Sequence, residues 1–315
     1  MADPQDTALI EVLRTRGVRG AREAALVLSS LGIPHRLRRD AASSVLLVPP
    51  PDAERATEQL DRYWRENRAW PPARLAIESA PGWMIGGALY LAVLGAFHRL
   101  AIGRSFGLDW YAAGRLDAAA LRGGEWWRAT TALTLHGSLG HLASNALFGA
   151  VFGCLLAQVL GPGPAWLCVL LAGIGGNLLN AGVQAEHLAI GASTAVFGAL
   201  GALAAVQSDL RTRAGAKALA RWAPLVVAAV LLGWNGMGSA RLAPFGGVVR
   251  DPTDTTDVGA HIAGFLCGLV LGRALSVWHA RPSGISTTAR RLMATAAAAL
   301  VIGAWVCGAL PSVNG

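Results

Sequence analysis

Five polar side chains in this sequence are spaced for chemistry. Ser193 stands in Gly191-Ala192-Ser193, where an apolar helical run begins. A serine there has unpaired backbone N–H groups beside it that can stabilise the oxyanion of an acyl transfer, and it can equally be a plain N-cap. His261, in Ala260-His-Ile-Ala-Gly264, puts an imidazole one turn into a second apolar run. An ionisable group in such a place is expensive unless paired, so a functional role is its default reading, with a structural hydrogen bond as the alternative. Neutral imidazole can take the proton of Ser193, which makes the serine a nucleophile and His261 its general base.

His141 and Asn145 are four residues apart and share one helix face. Their ring and amide N–H groups can complement the backbone N–H of Ser193 as an oxyanion pocket, while His136 shapes the entrance to that helix. Phe197 follows Ser193 by one turn; its ring can stack on His261 or simply fill the core. Gly264, Gly268 and Gly272 form a close-packing face that His261 roughly shares. Asp257, four residues before His261, can orient the imidazole or cap the helix, and capping is favoured by the helix dipole. Three histidines raise the question of zinc, but there is no HExxH pattern and the apolar runs hold few carboxylates, so neither metal nor cofactor is expected.

The elements that must position these groups are set by composition. The chain has 315 residues, is 53% hydrophobic and 15% charged, and has positive mean hydropathy, which suits a polytopic membrane protein with the lipid bilayer as its solvent. The net charge of +8 comes from arginine, Lys217 being the only lysine; basic residues flanking membrane spans explain it without a nucleic-acid partner. Cys154, Cys168, Cys267 and Cys307 lie in apolar runs without CxxC spacing and read as buried thiols.

Apolar segments approaching a bilayer core of about 30 Å lie at 83–101, 138–160, 163–182, 193–207, 222–239, 257–276 and 293–311, which predicts seven spans. The fourth rises only about 22 Å as a helix, too little to cross alone. The non-helical 185–192 must then supply the missing thickness, inside protein or beside water, which sinks Ser193 below the surface. The basic 211–221 and 273–291 are expected on the cytoplasmic side. That leaves the C-terminus and the loops after the first, third and fifth spans outside. Trp83, Trp222, Trp234 and Trp278 suit span ends, and 103–138, with Trp110, Tyr111, Trp126 and Trp127, reads as an insertion lying in the interface.

Residues 1–75 are polar and lack a secretory signal pattern, so the first apolar segment is expected to be an uncleaved anchor. Helical patterns at 21–31 and 52–67 and strand-like runs at 35–38 and 43–48 predict a small soluble α/β domain. It is expected to be cytoplasmic and regulatory or partner-binding, with 76–315 as the membrane domain.

His136-x4-His141-x3-Asn145, Gly191-Ala-Ser193 and Ala260-His261-x2-Gly264-x3-Gly268, in that order, resemble the rhomboid family, as does the pair Trp127-Arg128; the likeness covers 83 to about 275. It implies a rhomboid-like six-helix core plus one C-terminal transmembrane helix. It also implies a serine intramembrane protease with a Ser193–His261 dyad that needs no acid, an oxyanion pocket from His141, Asn145 and the Ser193 backbone, and access gated at the fifth span and the loop to Asp257. The implied partners are transmembrane protein substrates, and the expected location is a bacterial cytoplasmic membrane with the site near its outer face. Thr194 departs from the glycine that many members carry after the nucleophile, and its β-branch would crowd the backbone donors. Inactive rhomboid-like proteins lack the serine or histidine kept here. A transporter with a broken span would need an internal repeat and substrate-neutralising charges, and neither is visible.

Overall fold

The computed structural model describes residues 9–40, 43–68, 79–236, 241–242, 248–249 and 257–310. The chain divides into two compact units, Met1–Arg74 and Leu75–Gly315.

The first unit runs β1 (Ile10–Thr15), α1 (Val18–Ser30), β2 (Arg36–Arg39), β3 (Ser44–Val48) and α2 (Ala53–Glu66). β3 is central, antiparallel to β1 on one side and β2 on the other. The central place follows from polarity: all five residues of β3 are buried, whereas the Arg-Leu-Arg-Arg of β2 is exposed throughout and suits an edge. Ala24, Leu28, Ile33, Leu46, Val48, Ala56 and Leu60 make the core. β1 is an addition to the sequence reading. Its alternation is broken where the pairing slips by one residue between Glu11 and Leu13.

Among the described residues the second unit is all-α apart from two short antiparallel ribbons of two-residue strands, and it belongs to an integral membrane protein. It starts with α3 (Trp83–Ile102) and an insertion of α4 (Trp110–Gly114), β4 (Leu116–Asp117), α5 (Ala118–Arg122) and α6 (Arg128–Thr131). Then come α7 (Leu139–Leu160), α8 (Pro162–Val183), β5 (Leu188–Ala189), α9 (Ser193–Arg213), α10 (Ala218–Gly236), the ribbon of β6 (Arg241–Leu242) and β7 (Val248–Val249), α11 (Val258–His279) and α12 (Thr287–Ala309). By length and composition, five of the described helices (α3, α7, α8, α11 and α12) can cross a membrane. Side-chain caps set three of the starts, with Ser138, Asp257 and Ser286 each accepting a backbone N–H two or three residues into the helix that follows.

The expectation that the fourth helix stops before Ser208-Asp209 is wrong. α9 continues to Arg213, so its 21 residues rise about 30 Å, and shortness does not explain the depth of Ser193. Asp209 does not end the helix because its carboxylate is fully partnered: Arg213 Nε at 2.8 Å, Arg273 Nη1 at 2.7 Å and the Ser276 hydroxyl at 2.6 Å all donate to it.

α9 is the enclosed helix of the bundle, with every residue from Thr194 to Ala202 buried. Its main partner is α11, and the contact is made by backbone. A Cβ on Gly264 would overlap the Thr194 carbonyl, one on Gly268 the Gly198 carbonyl, and one on Gly272 the Ala202 backbone. α8 joins the same seam through Gly173 at Ala195 and Gly176 at Thr194 and Gly264. Such small-residue faces let helices pack closely where no hydrophobic driving force exists between them.

The insertion is fixed by both apolar and polar contacts. Trp110 and Phe97 pack on Trp305 of α12 at ring-centroid distances of 4.9 and 5.0 Å. Arg128, from the Trp127-Arg128 pair, donates to the Ala112 and Arg115 carbonyls at 2.9 Å each and to Glu125 at 2.6 Å. Those bonds satisfy carbonyls at the end of α4 that the helix itself cannot.

Candidate active site

Between β5 and the starts of α7, α9 and α11 lies a cavity of about 740 Å³, lined by Ser193, His261, His141, Asn145, Phe197 and Asp257 among others. Ser193 opens α9 and is half-buried; His261, three residues past the start of α11, is buried. Their common depth follows from the seam below them. Thr194 sits opposite Gly176, seven residues before α8 ends, and against Gly264, six residues after α11 starts. At 1.5 Å per residue, the cavity floor is about 10 Å inside both helix ends. The nucleophile candidate is therefore recessed by its neighbours' overhang.

Phe197 lies one turn below Ser193, and its ring is 4.5 Å from that of His261, tilted by 37°. The two roles open for Phe197 coincide here, because the ring is 7% exposed and also packs with Leu200, Ala204, Ala228 and Phe265.

The segment entering α9 is shaped around His141 and Asn145. Gly191 has φ = +124°, a backbone state that side chains disfavour, and a Cβ there would lie 2.6 Å from His141 Cε1 and Nε2 and 3.7 Å from Asn145 Nδ2. Glycine at 191 thus lets the imidazole edge and the amide approach the turn directly. Asn145 is 5% exposed and its Nδ2 is buried without a hydrogen-bond partner. A buried amide donor left unpaired is costly in a folded protein unless something else uses it. The turn itself is held from behind, where Gly191 N donates to the Ala132 carbonyl at 2.9 Å and Ala192 N donates to His136 Nε2 at 3.3 Å. Burial pushes the His136 imidazole down to about 4, so it is neutral and able to accept. His136 is fully buried and belongs to this support, outside the cavity lining.

Thr194 does not crowd the site. Its methyl is wedged between Gly176 and Gly264, in the seam and away from the cavity. Asp257 takes the capping alternative: its Oδ1 accepts from Ala260 N at 2.9 Å, while Oδ2 is 2.6 Å from His187 Nε2 and accepts from Asn180 Nδ2 at 2.8 Å. Asn180 and His187 carried no role in the sequence reading, and neither did Tyr90, whose hydroxyl donates to the Asn145 carbonyl at 2.8 Å. The available signals were a lone histidine between two spans, and an asparagine and a tyrosine inside apolar runs.

Residues 123–278 match the family model described as Rhomboid domain. The chain is 30% identical over 165 residues to "RHOMBOID-like protein 6, mitochondrial" of Arabidopsis thaliana, a match covering 52% of this chain and 46% of the relative. It is 38% identical over 92 residues to "Rhomboid protease GluP" of Bacillus subtilis (strain 168), covering 29% and 18%, and 29% identical over 159 residues to "Rhomboid-like protease 3" of Toxoplasma gondii, covering 50% and 55%. The chain spans about half, or less, of the length of these relatives.

Proposed function

Because this chain belongs to the rhomboid family, we propose that it is a serine endopeptidase that hydrolyses peptide bonds in or beside the transmembrane helices of other proteins. One observation carries this reading: a single recessed cavity presents Ser193, His261 and a buried, unpartnered Asn145 amide together. In the proposed reaction Ser193 Oγ attacks the scissile carbonyl carbon and its proton passes to the His261 imidazole. The oxyanion that forms is met by Asn145 Nδ2, the His141 ring N–H and the backbone N–H of Ser193. His261 then protonates the leaving amine as the C–N bond breaks, giving an acyl-enzyme. A water deprotonated by His261 attacks the ester, and collapse returns the proton to Ser193. No step needs a metal or cofactor.

Water must reach a site that lipid surrounds, and the recess of about 10 Å gives a bounded wet volume for that purpose. The overhang also supports cleavage near the membrane boundary of a substrate. The basic loops 211–221 and 273–291 support a cytoplasmic position for that end of the bundle, with the site opening on the other side.

The test is to reconstitute the wild type, Ser193→Ala and His261→Ala with a labelled single-span substrate. Cleavage by the wild type alone is expected. Equal cleavage by wild type and Ser193→Ala overturns the assignment.

We further propose that residues 1–75 form a cytoplasmic regulatory or partner-binding domain, a role supported by their own buried core around β3. Deleting them should change activity or captured partners; an unchanged profile in both sinks this role.

A further inference from the structure

The two helices that carry Ser193 and His261 are joined backbone to backbone below the site, by the glycine seam. At the mouth of the cavity the joint is of another kind. α11 begins at Asp257, and the segment between α8 and α9 passes beside it at His187. His187 Nε2 lies 2.6 Å from Asp257 Oδ2, with the two side chains 13% and 15% exposed. Asn180 Nδ2 donates to the same oxygen at 2.8 Å, and Gln184 Nε2 donates to Asn180 Oδ1 at 2.9 Å. Gly259 makes this approach possible, since a Cβ there would overlap Asn180 Oδ1.

His187 is itself held at the backbone. Its carbonyl accepts from Ala118 N at 2.9 Å, and the next two residues pair with β4. Arg122, from α5, donates to the Ala181 and Ala185 carbonyls. The segment from 184 to 192 is thus tied to the insertion on one side, and on the other it reaches α11 through His187 and Asp257. His187 lies six positions before Ser193, and Asp257 four before His261.

We propose that His187 is a positioning residue: with Asn180 it latches the segment that enters at Ser193 to the capped end of the helix that bears His261, and so holds nucleophile and base at one spacing. This rests on the dyad reading above. Asp257 Oδ1 keeps its bond to Ala260 N whatever stands at 187, so removing the imidazole opens the latch while sparing the helix cap. An error of about 1 Å in the placement of reacting groups costs on the order of 100-fold in rate.

The experiment uses the full chain in detergent and in vesicles, with His187→Ala, His187→Gln and His187→Phe. Activity on the labelled single-span substrate is expressed per serine titrated with a fluorophosphonate, so that a smaller folded fraction does not count. For His187→Ala, kcat should fall ten- to a hundredfold with KM within twofold of wild type. His187→Gln, which keeps a donor for Asp257, should recover most of the loss, and His187→Phe should not. Amide hydrogen exchange reads the latch without reference to catalysis, and His187→Ala should speed exchange more than tenfold in both 185–192 and 257–262. Unchanged exchange in either segment, or a kcat per titrated serine within twofold of wild type, overturns the latch. If His187→Ala speeds exchange as described while the wild type does not cleave, the dyad reading falls and the latch stands.

Discussion

Gly191→Ala is the substitution whose effect can be worked most fully from the geometry. Two costs add. The first is conformational: φ = +124° at Gly191 is a state in which a side chain costs about 1–3 kcal/mol. The second is steric and local to the chemistry. The new Cβ would sit 2.6 Å from His141 Cε1 and Nε2, against an optimal carbon separation of about 3.5–4.0 Å. The imidazole must therefore retreat by about 1 Å, or the turn must move by as much. Because the turn is pinned by Ala132 and His136, the ring is the part that yields. A displacement of that size in the proposed oxyanion donor corresponds to about 100-fold in kcat, or about 2.7 kcal/mol of transition-state stabilisation. KM should change little, since the affected group acts on charge that develops only in the transition state. Gly140→Ala is the matched control. Its Cβ meets nothing within 4 Å, it lies one residue from His141, and a helical alanine gains about 0.5 kcal/mol. The assay is cleavage of a reconstituted single-span substrate per titrated serine, with thermal unfolding in detergent alongside. A Gly191→Ala enzyme with kcat within threefold of wild type refutes the reasoning, as does a Gly140→Ala enzyme that loses as much.

Asn145→Ala should lower kcat by about 100- to 1000-fold, as losing an oxyanion donor does. Because its Nδ2 has no partner to lose, the melting temperature should stay within a few degrees, so activity and stability separate. Asp209→Ala should act the other way: its buried carboxylate holds Arg213, Arg273 and Ser276, but both guanidiniums are about half exposed and stay solvated without it, so removal costs about 1–3 kcal/mol of stability, read as a lowered melting temperature. Gly268→Val should push α11 off the Gly198 carbonyl and cost about 3 kcal/mol, with loss of monodisperse protein in size-exclusion chromatography. Gly303→Ala, in open space on α12, should leave the yield as it is and raise the melting temperature slightly, by the same helical gain of about 0.5 kcal/mol.

How far the sequence sufficed depended on how local the cause was. Helix starts at Leu139 and Val258, expected at 138 and 257, follow from caps directly before them at Ser138 and Asp257, whereas α12 starts at Thr287, capped by Ser286, six residues ahead of the expected 293, because its first turns are polar. The end of α9 is not legible locally: Arg213 pairs with Asp209 one turn on, as it would on an exposed helix end, whereas the two partners that complete its burial, Arg273 and Ser276, stand on α11, 64 and 67 positions away. Ser193, His261, His141 and Asn145 could be picked out by type and spacing, and they line one cavity. The need for glycine at 191 could not be read the same way, since it depends on where His141 comes to lie. Asp257 shows the same limit: spacing offered His261 as a neighbour, whereas the fold gave its second oxygen to His187 and Asn180. β1 escaped notice because a bulge destroys the alternation by which strands are recognised.

The glycine face of α11 also bears on biosynthesis. Chains are made and inserted from the N-terminus, and α9 is complete before its main partner, with all of α10 between them. On the dyad reading, until residue 272 or so has left the ribosome the proposed base is not yet packed beside Ser193, and the carbonyls of Thr194 and Gly198 have not met the glycine face. A nascent chain at that stage therefore carries the proposed nucleophile without its proposed base. On the proposed reading, the site is complete only once α11 has packed onto α9.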